Sequence, residues 1–326
     1  MNNATEMCPM ELAAYQALRP AKRFTDSRNV LLDLAHSGDG SSLMVSATDV
    51  ILFYDLKDGS KEKPIECKKY GVDLLEYTTD DTCAHSDTKG GLIRLLNITK
   101  NTYIRYLPGH TKRICGIKSN PQHREKFISS SEDGDVRMFD SRTFDNYGLL
   151  RAGHPPLIAF DPDGIIFATA TKSETIRLFD VRSFDLGPFS VFRIMKNDDD
   201  EWTNIEFTPC GKFILVSTKG AGVKWIDAFS GKLVHNFCDH KNPRNVSLRA
   251  TVTPDSDYVM VGSADRSIYI YNTETGNVAG KLSTPYPEPS HILDFNPKLF
   301  LMTTLGREVM IWTPDSDYLF GRLPER

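Results

Sequence analysis

Side chains that could do chemistry are scattered along the sequence. Cys83-Ala-His85 and Cys238-Asp-His240 each offer two metal ligands, but neither has the matching second pair that a zinc site needs. No serine lies in the pattern of a nucleophile elbow, and Gly220-Ala-Gly222 is too short to cradle a phosphate. These patterns therefore predict no catalytic residue, no metal and no cofactor.

One histidine and one aspartate have spacing that favours a structural contact. His110 follows Gly109 ahead of an apolar run, and Asp133 lies in the turn after the next run. The imidazole could reach this carboxylate and tie two loops together, and a carboxylate in a tight turn usually accepts backbone N–H bonds. We assign structural roles to His110 and Asp133, and to His154 in a second Gly-His pair.

The segment 103–140 shows which elements must position such residues. It contains short apolar runs, rich in β-branched and aromatic residues and separated by turn-forming residues, which is typical of strands. Four strands are predicted: Tyr103–Leu107, Ile114–Lys118, Lys126–Ser130 and Val136–Phe139.

This unit repeats along the chain. A bulky apolar residue followed by Asp, Asn or Thr recurs every 40 to 47 residues, close to the period of propeller blades. The pairs are Tyr54-Asp55, Leu96-Asn97, Phe139-Asp140, Phe179-Asp180, Ile226-Asp227, Tyr271-Asn272 and Trp312-Thr313. They predict an all-β chain, with a seven-bladed β-propeller over residues 19–326 and a flexible extension over residues 1–18. Because an incomplete last blade would leave an open edge, we expect the N-terminal strand Arg19–Phe24 to close the ring.

Charge and hydropathy exclude several classes of partner. Lys and Arg number 39 against 43 Asp and Glu, a net charge of −4, so no global positive field attracts nucleic acid. No apolar run reaches the roughly 18 residues that span a bilayer, and no secretory signal opens the chain. The six scattered cysteines are typical of free thiols. We expect a nuclear or cytosolic protein without a membrane partner or direct sequence-specific nucleic-acid contact.

Longer segments resemble one subfamily of WD40 proteins. They include Lys68-Lys-Tyr-Gly-Val-Asp-Leu74, Tyr103-Ile-Arg-Tyr-Leu-Pro-Gly-His110, Asp180-Val-Arg-Ser-Phe-Asp-Leu-Gly-Pro-Phe189 and Thr253-Pro-Asp-Ser256. The chain is similar over about residues 19–312 to the WD-repeat subunit shared by two complexes. One is the SET-domain histone H3 lysine-4 methyltransferase complex (COMPASS), and the other is a protein phosphatase complex tied to transcription termination. The chain departs from the pattern because no blade ends in Trp-Asp.

The resemblance implies a nuclear, seven-bladed WD40 β-propeller that acts as a non-catalytic scaffold. Its partner would be a SET-domain methyltransferase subunit, which it would help to assemble and target to transcribed chromatin. The alternative is a subunit of the phosphatase and RNA polymerase II termination complex, bound to a phosphatase scaffold. A hydrolase that uses the propeller channel is the alternative from another class.

Two charged clusters are candidate partner-binding surfaces. The basic rim comprises Lys68, Lys69, Lys112 and Arg113, in loops that enter the first strands of consecutive blades. The acidic loop comprises Asp198, Asp199, Asp200 and Glu201, and could face a basic tail. Proteins that resemble this one are linked to the phosphorylated RNA polymerase II tail, which the basic rim could bind. Solvated charge without a partner is the alternative interpretation of both clusters.

Overall fold

The computed structural model describes residues 11–25, 30–88, 90–171, 174–194, 201–220, 222–285, 289–315 and 318. The strands form seven four-stranded antiparallel sheets. The first strands of neighbouring sheets contact one another around a central channel. The predicted seven-bladed β-propeller, all-β apart from short helical turns, is therefore confirmed.

The first four blades follow the chain from the inner to the outer strand. Blade one contains β2 (Leu31–His36), β3 (Ser42–Ala47), β4 (Val50–Asp55) and β5 (Ile65–Glu66). Blade two contains β6 (Leu75–Thr79), β7 (Thr82–Ser86), β8 (Ile93–Asn97) and β9 (Thr102–Leu107). Blade three contains β10 (Ile114–Ser119), β11 (Lys126–Ser131), β12 (Asp135–Asp140) and β13 (Asn146–Arg151). Blade four contains β14 (Leu157–Phe160), β15 (Ile166–Thr171), β16 (Thr175–Asp180) and β17 (Ser190–Arg193).

The last three blades repeat this order, and the seventh borrows its outer strand. Blade five contains β18 (Trp202–Phe207), β19 (Phe213–Thr218), β20 (Val223–Asp227) and β21 (Leu233–Phe237). Blade six contains β22 (Thr251–Val252), β23 (Tyr258–Ser263), β24 (Ser267–Asn272) and β25 (Val278–Ser283). Blade seven contains β26 (Ile292–Phe295), β27 (Met302–Leu305), β28 (Val309–Pro314) and the N-terminal β1 (Leu18–Phe24).

The seam of the ring lies in blade seven. Strand β1 runs antiparallel to β28, from Leu18 opposite Pro314 to Phe24 opposite Val309. The register shifts between Pro20 and Lys22, which places the proline beside a bulge, where its missing N–H is tolerated. The N-terminal strand therefore closes the propeller, as the sequence predicted.

A short helix precedes this strand in the described part of the chain. Helix α1 (Leu12–Gln16) carries Tyr15, which is 0% exposed. Its ring packs against Tyr258 and Phe300, and its hydroxyl donates to Asp255 Oδ2 at 2.7 Å. The extension that we expected to be flexible as far as Leu18 therefore includes a helix docked on the propeller, because an aromatic side chain binds it to blades six and seven.

The core lies between the blades, where their faces meet. Aromatic cross-strand pairs fill it: Phe127 stacks on Phe139 at 5.3 Å between ring centres, and Phe167 on Phe179 at 5.0 Å. Such pairs stabilise a sheet beyond the area they bury.

Across the described residues, no helix has the length and apolar character needed to cross a membrane.

Candidate functional site

The contact expected between His110 and Asp133 is present. The side chain of His110 is 1% exposed, with Nδ1 3.0 Å from Asp133 Oδ2 and Nε2 2.8 Å from Ser129 Oγ. Since a carboxylate accepts, Nδ1 of the neutral ring donates to Asp133, and Nε2 accepts from the Ser129 hydroxyl. Burial lowers the pKa of His110, against the opposing influence of Asp133. A neutral, fully engaged imidazole suits a tie between two loops better than proton transfer.

His154 does not form the corresponding tie in blade four. His154 is exposed, and its side chain makes no hydrogen bond to the described part of the chain. Ser173, which lies outside the described residues, stands in the sequence where blade three has Asp133. The structural role that we assign to His154 stays a prediction, and a tie like that of blade three has no turn carboxylate at the equivalent position to hold the ring.

The four residues of the basic rim lie in the loops where the sequence placed them. Lys68 and Lys69 fall between β5 and β6, and Lys112 and Arg113 between β9 and β10. Both loops precede the first strand of a blade, so they open on the same face of the ring.

The cations of this rim are not all free. Lys68 Nζ lies 2.9 Å from Glu66, and Lys69 Nζ lies 4.9 Å from the centre of the Tyr70 ring. Arg113 places Nη2 and Nε 2.7 and 2.8 Å from Asp73 Oδ2. Lys112 is exposed and has no ion pair within the described chain. The rim is thus less positive than its four cations suggest, and Lys112 is its most available charge.

Only one residue of the acidic loop can be placed. Asp198, Asp199 and Asp200 lie outside the described residues. Glu201 is exposed, and its Oε1 lies 2.6 Å from Lys219 Nζ. The proposal that this loop faces a basic tail stays a prediction.

A charged channel runs through the centre of the ring, and the sequence analysis identified none of its charged residues. A cavity of about 450 Å³ opens there, lined by the first strands and including Asp33, Lys118 and Arg249. Arg249 Nη1 lies 3.5 Å from Asp33 Oδ1. Burial raises the pKa of Glu206 to about 7. The sequence did contain a signal for this channel, namely one charged residue inside each of several short apolar strands.

The channel brings acids and bases together. Asp294 accepts from His36, with 3.1 Å between Oδ2 and Nδ1, and Nε2 of the same ring lies 3.1 Å from Thr303 Oγ1. In the described residues, no group of three or more His, Cys, Asp and Glu side chains is placed to hold a metal ion. His36 therefore joins a carboxylate to a hydroxyl, and the channel offers mixed charge for binding.

Comparison with known proteins agrees with this architecture. Residues 101–140 and 231–272 match the family model described as WD domain, G-beta repeat. WD repeat-containing protein 82 of Drosophila melanogaster is 34% identical over 305 residues, covering 93% of this chain and 96% of its own. COMPASS component SWD2 of Saccharomyces cerevisiae is 28% identical over 288 residues, covering 84% and 87%. Set1 complex component swd2 of Schizosaccharomyces pombe is 26% identical over 333 residues, covering 87% and 92%.

The seven sheets and the matched repeats define a WD40 β-propeller. Its surfaces are loops and blade edges of the kind that bind other proteins. Within that class, the chain belongs to the family of WD repeat-containing protein 82, because it matches that relative along nearly its whole length.

Proposed function

We propose that this chain is a non-catalytic scaffold subunit of a nuclear histone H3 lysine-4 methyltransferase complex. The observation that carries the proposal is its similarity, over most of both chains, to relatives named as components of the Set1 complex and of COMPASS. It would bind a SET-domain methyltransferase subunit and help to target it to transcribed chromatin.

The geometry supports a binding role. A ring closed by β1 is a rigid body that holds its loops in fixed relative positions. The buried His110 is neutral and hydrogen-bonded through both ring nitrogens. In the channel, Arg249 faces Asp33. Such a molecule recognises partners through loops and edges, while the partner supplies the chemistry.

Affinity purification with mass spectrometry tests this proposal. The tagged full chain should recover a SET-domain methyltransferase from nuclear extract, whereas an unrelated propeller with the same tag should not. Loss of the chain should lower histone H3 lysine-4 methylation on transcribed genes. Recovery of a phosphatase scaffold without a SET-domain protein would favour the termination complex. Turnover by the purified chain alone, abolished by a point substitution within it, would favour an enzyme.

We further propose that the basic rim contributes to binding the phosphorylated RNA polymerase II tail. Lys112, exposed and without an ion pair in the described chain, supports this, since a phosphoserine adds about −1.5 to −2 charges. Exposed ion pairs contribute only about 0.2 to 1 kcal/mol each, so affinity would depend on repeated contacts along the tail. A serine-phosphorylated tail peptide should bind more tightly than its unmodified form, and more weakly as salt rises. Equal binding of the two peptides would contradict the proposal.

A further inference from the structure

A cavity lies between blades three and four, away from the channel and from the basic rim. Its volume is about 410 Å³. One wall is the outer strand β13 of blade three, and the other is formed by β15, β16 and the loop that follows β16. That loop contains a short 3-10 turn, Phe184–Leu186, within the Asp180–Phe189 segment that the sequence singled out.

Two polar side chains, Thr169 and Arg177, lie on the floor of this cavity. Thr169 is 1% exposed, and its hydroxyl makes no hydrogen bond within the described structure. Arg177 lies directly opposite Thr169 on the neighbouring strand, so the two side chains share one face of the sheet. Arg177 has no ion pair or hydrogen bond to the described residues, although Asp185 lines the same cavity. A buried hydroxyl left unpaired costs free energy that a ligand acceptor would recover.

Blade three shows what normally covers these positions. Ser129 and Arg137 are the equivalent cross-strand pair, and Ser129 is engaged by His110. A Cβ added to Gly109 would lie 2.8 Å from Nη1 of Arg137, so the Gly-His loop lies directly on the arginine.

The Gly-His loop of blade four leaves its own arginine uncovered. A Cβ added to Gly153 would meet no atom within 4 Å, and the neighbouring His154 is exposed. The exposed His154 therefore does not take, over Thr169, the place that His110 takes over Ser129 in blade three. The cavity lies beside this loop, whose Ala152 lines it.

The walls of the cavity add apolar surface to these donors. Phe179 and Phe184 line it, and the Phe184 ring lies over Gly148 of β13, at 2.7 Å from the position of an added Cβ. Leu186 is 85% exposed and Phe189 59% exposed, on the same loop. A ligand here would need an acceptor for Arg177 and Thr169, with apolar groups on each side.

We propose that this cavity, the blade 3–4 groove, binds an extended peptide segment of a partner protein through a carboxylate. The guanidinium of Arg177 and the hydroxyl of Thr169 donate to that carboxylate, and the apolar walls take the flanking side chains. Arg151 also lines the groove, so two arginines and Asp185 give it a net charge of +1, which suits a single carboxylate better than a dianionic phosphate. The inference concerns the chemistry of the segment, and does not depend on which complex the chain enters.

Arrays of short peptides test this with the full chain. Their flanks are random, and the central residue is fixed as Asp, Asn or phosphoserine. The intact chain should capture the Asp pool about tenfold more strongly than the Asn pool, with apolar residues enriched in the flanks. Arg177→Gln and Thr169→Val should each remove this preference. Arg182→Gln is the matched control and should retain the preference, because Arg182 lies in the loop after β16 and is paired with Asp180.

The outcomes separate cleanly. Equal capture of the Asp and Asn pools by the intact chain would overturn the proposal, as would an unchanged preference in Arg177→Gln. Stronger capture of the phosphoserine pool would overturn the assignment of a carboxylate. Thr169→Val keeps the test valid if Arg177→Gln folds poorly, because it is nearly isosteric and removes a hydroxyl that has no partner in the described structure.

Discussion

The role of a polar side chain in this propeller depends on the loop that reaches it. Ser129 and Thr169 occupy equivalent positions, yet only Ser129 hydrogen-bonds to a histidine. Ser129→Ala should lower the free energy of unfolding by about 1 to 3 kcal/mol, because it leaves the buried Nε2 of His110 unpaired. Thr169→Val should leave that free energy unchanged or higher. Urea titrations of both variants measure the difference, and equal losses would show that the His110 contact does not stabilise the blade.

A buried histidine in blade two predicts acid sensitivity. Burial lowers the pKa of His85 to about 4, and its cross-strand neighbour Arg94 acts in the same direction. The unfolded chain protonates this group near pH 6.5, so stability present above that pH is lost as pH falls from 6.5 towards 4. By pH 5 the loss from His85 should be about 2 kcal/mol.

The comparison of His85→Gln with the intact chain isolates this effect. The variant should lose less stability than the intact chain between pH 7 and pH 5, as measured by denaturant unfolding at each pH. His123→Gln changes an exposed histidine and should follow the intact profile. Parallel profiles for the intact chain and His85→Gln would refute the assignment.

At the scale of the element, strand β1 determines whether the ring closes. Its Leu18 is buried with Tyr15, Met310 and Trp312, whereas Arg23 on the same strand is exposed. Leu18→Ala should cost about 2 to 5 kcal/mol, and Arg23→Ala almost nothing. Removing residues 1–24 deletes both α1 and β1 and should destabilise the whole ring. Thermal unfolding measures each change, and a truncated chain that melts with the intact one would place the seam elsewhere.

Arg113 and Lys112, both in the loop before β10, differ in their contacts, and we expect their roles to differ as well. Arg113 joins the loop before β10 to Asp73 in the loop before β6. Arg113→Glu should lower the melting temperature, because it sets a second carboxylate beside the buried Asp73 and removes its cation. Lys112→Glu should leave the melting temperature unchanged and weaken binding of the phosphorylated tail peptide. The reverse assignment of these two effects would show that Arg113 is the binding residue.

At the scale of the whole molecule, the first strands of five blades, together with Arg249 ahead of β22, bring charges towards one channel. The raised pKa of Glu206, about 7 through burial, means that its ionised form disfavours folding above pH 7. This destabilisation fades as pH falls from 7 towards 4.5, where the unfolded chain also takes up the proton. Glu206→Gln should therefore stabilise the chain at pH 8, with a smaller gain at pH 5. Glu274→Gln changes an exposed carboxylate and should show no such trend.

The blade pattern could be predicted from the sequence because its determinants are local. Strand-length apolar runs and turn residues at a regular period specify a repeating sheet, and the spare strand before blade one had only one open edge to pair with. The contact of His110 with Asp133 followed from the same repeat. The same repeat offers His154 no such carboxylate, because Ser173 stands where blade three has Asp133.

The tertiary structure decided which side chains meet and which are left uncovered. Asp73 forms an ion pair with Arg113 of a neighbouring blade, and this contact makes the basic rim less positive than its composition suggests. Thr169 makes no hydrogen bond in the described structure, and Gly153 does not pack on an arginine as Gly109 packs on Arg137. Distances between residues that are remote in sequence determine these outcomes. A repeat motif specifies the frame of each blade, but not how closely its loops cover the next one.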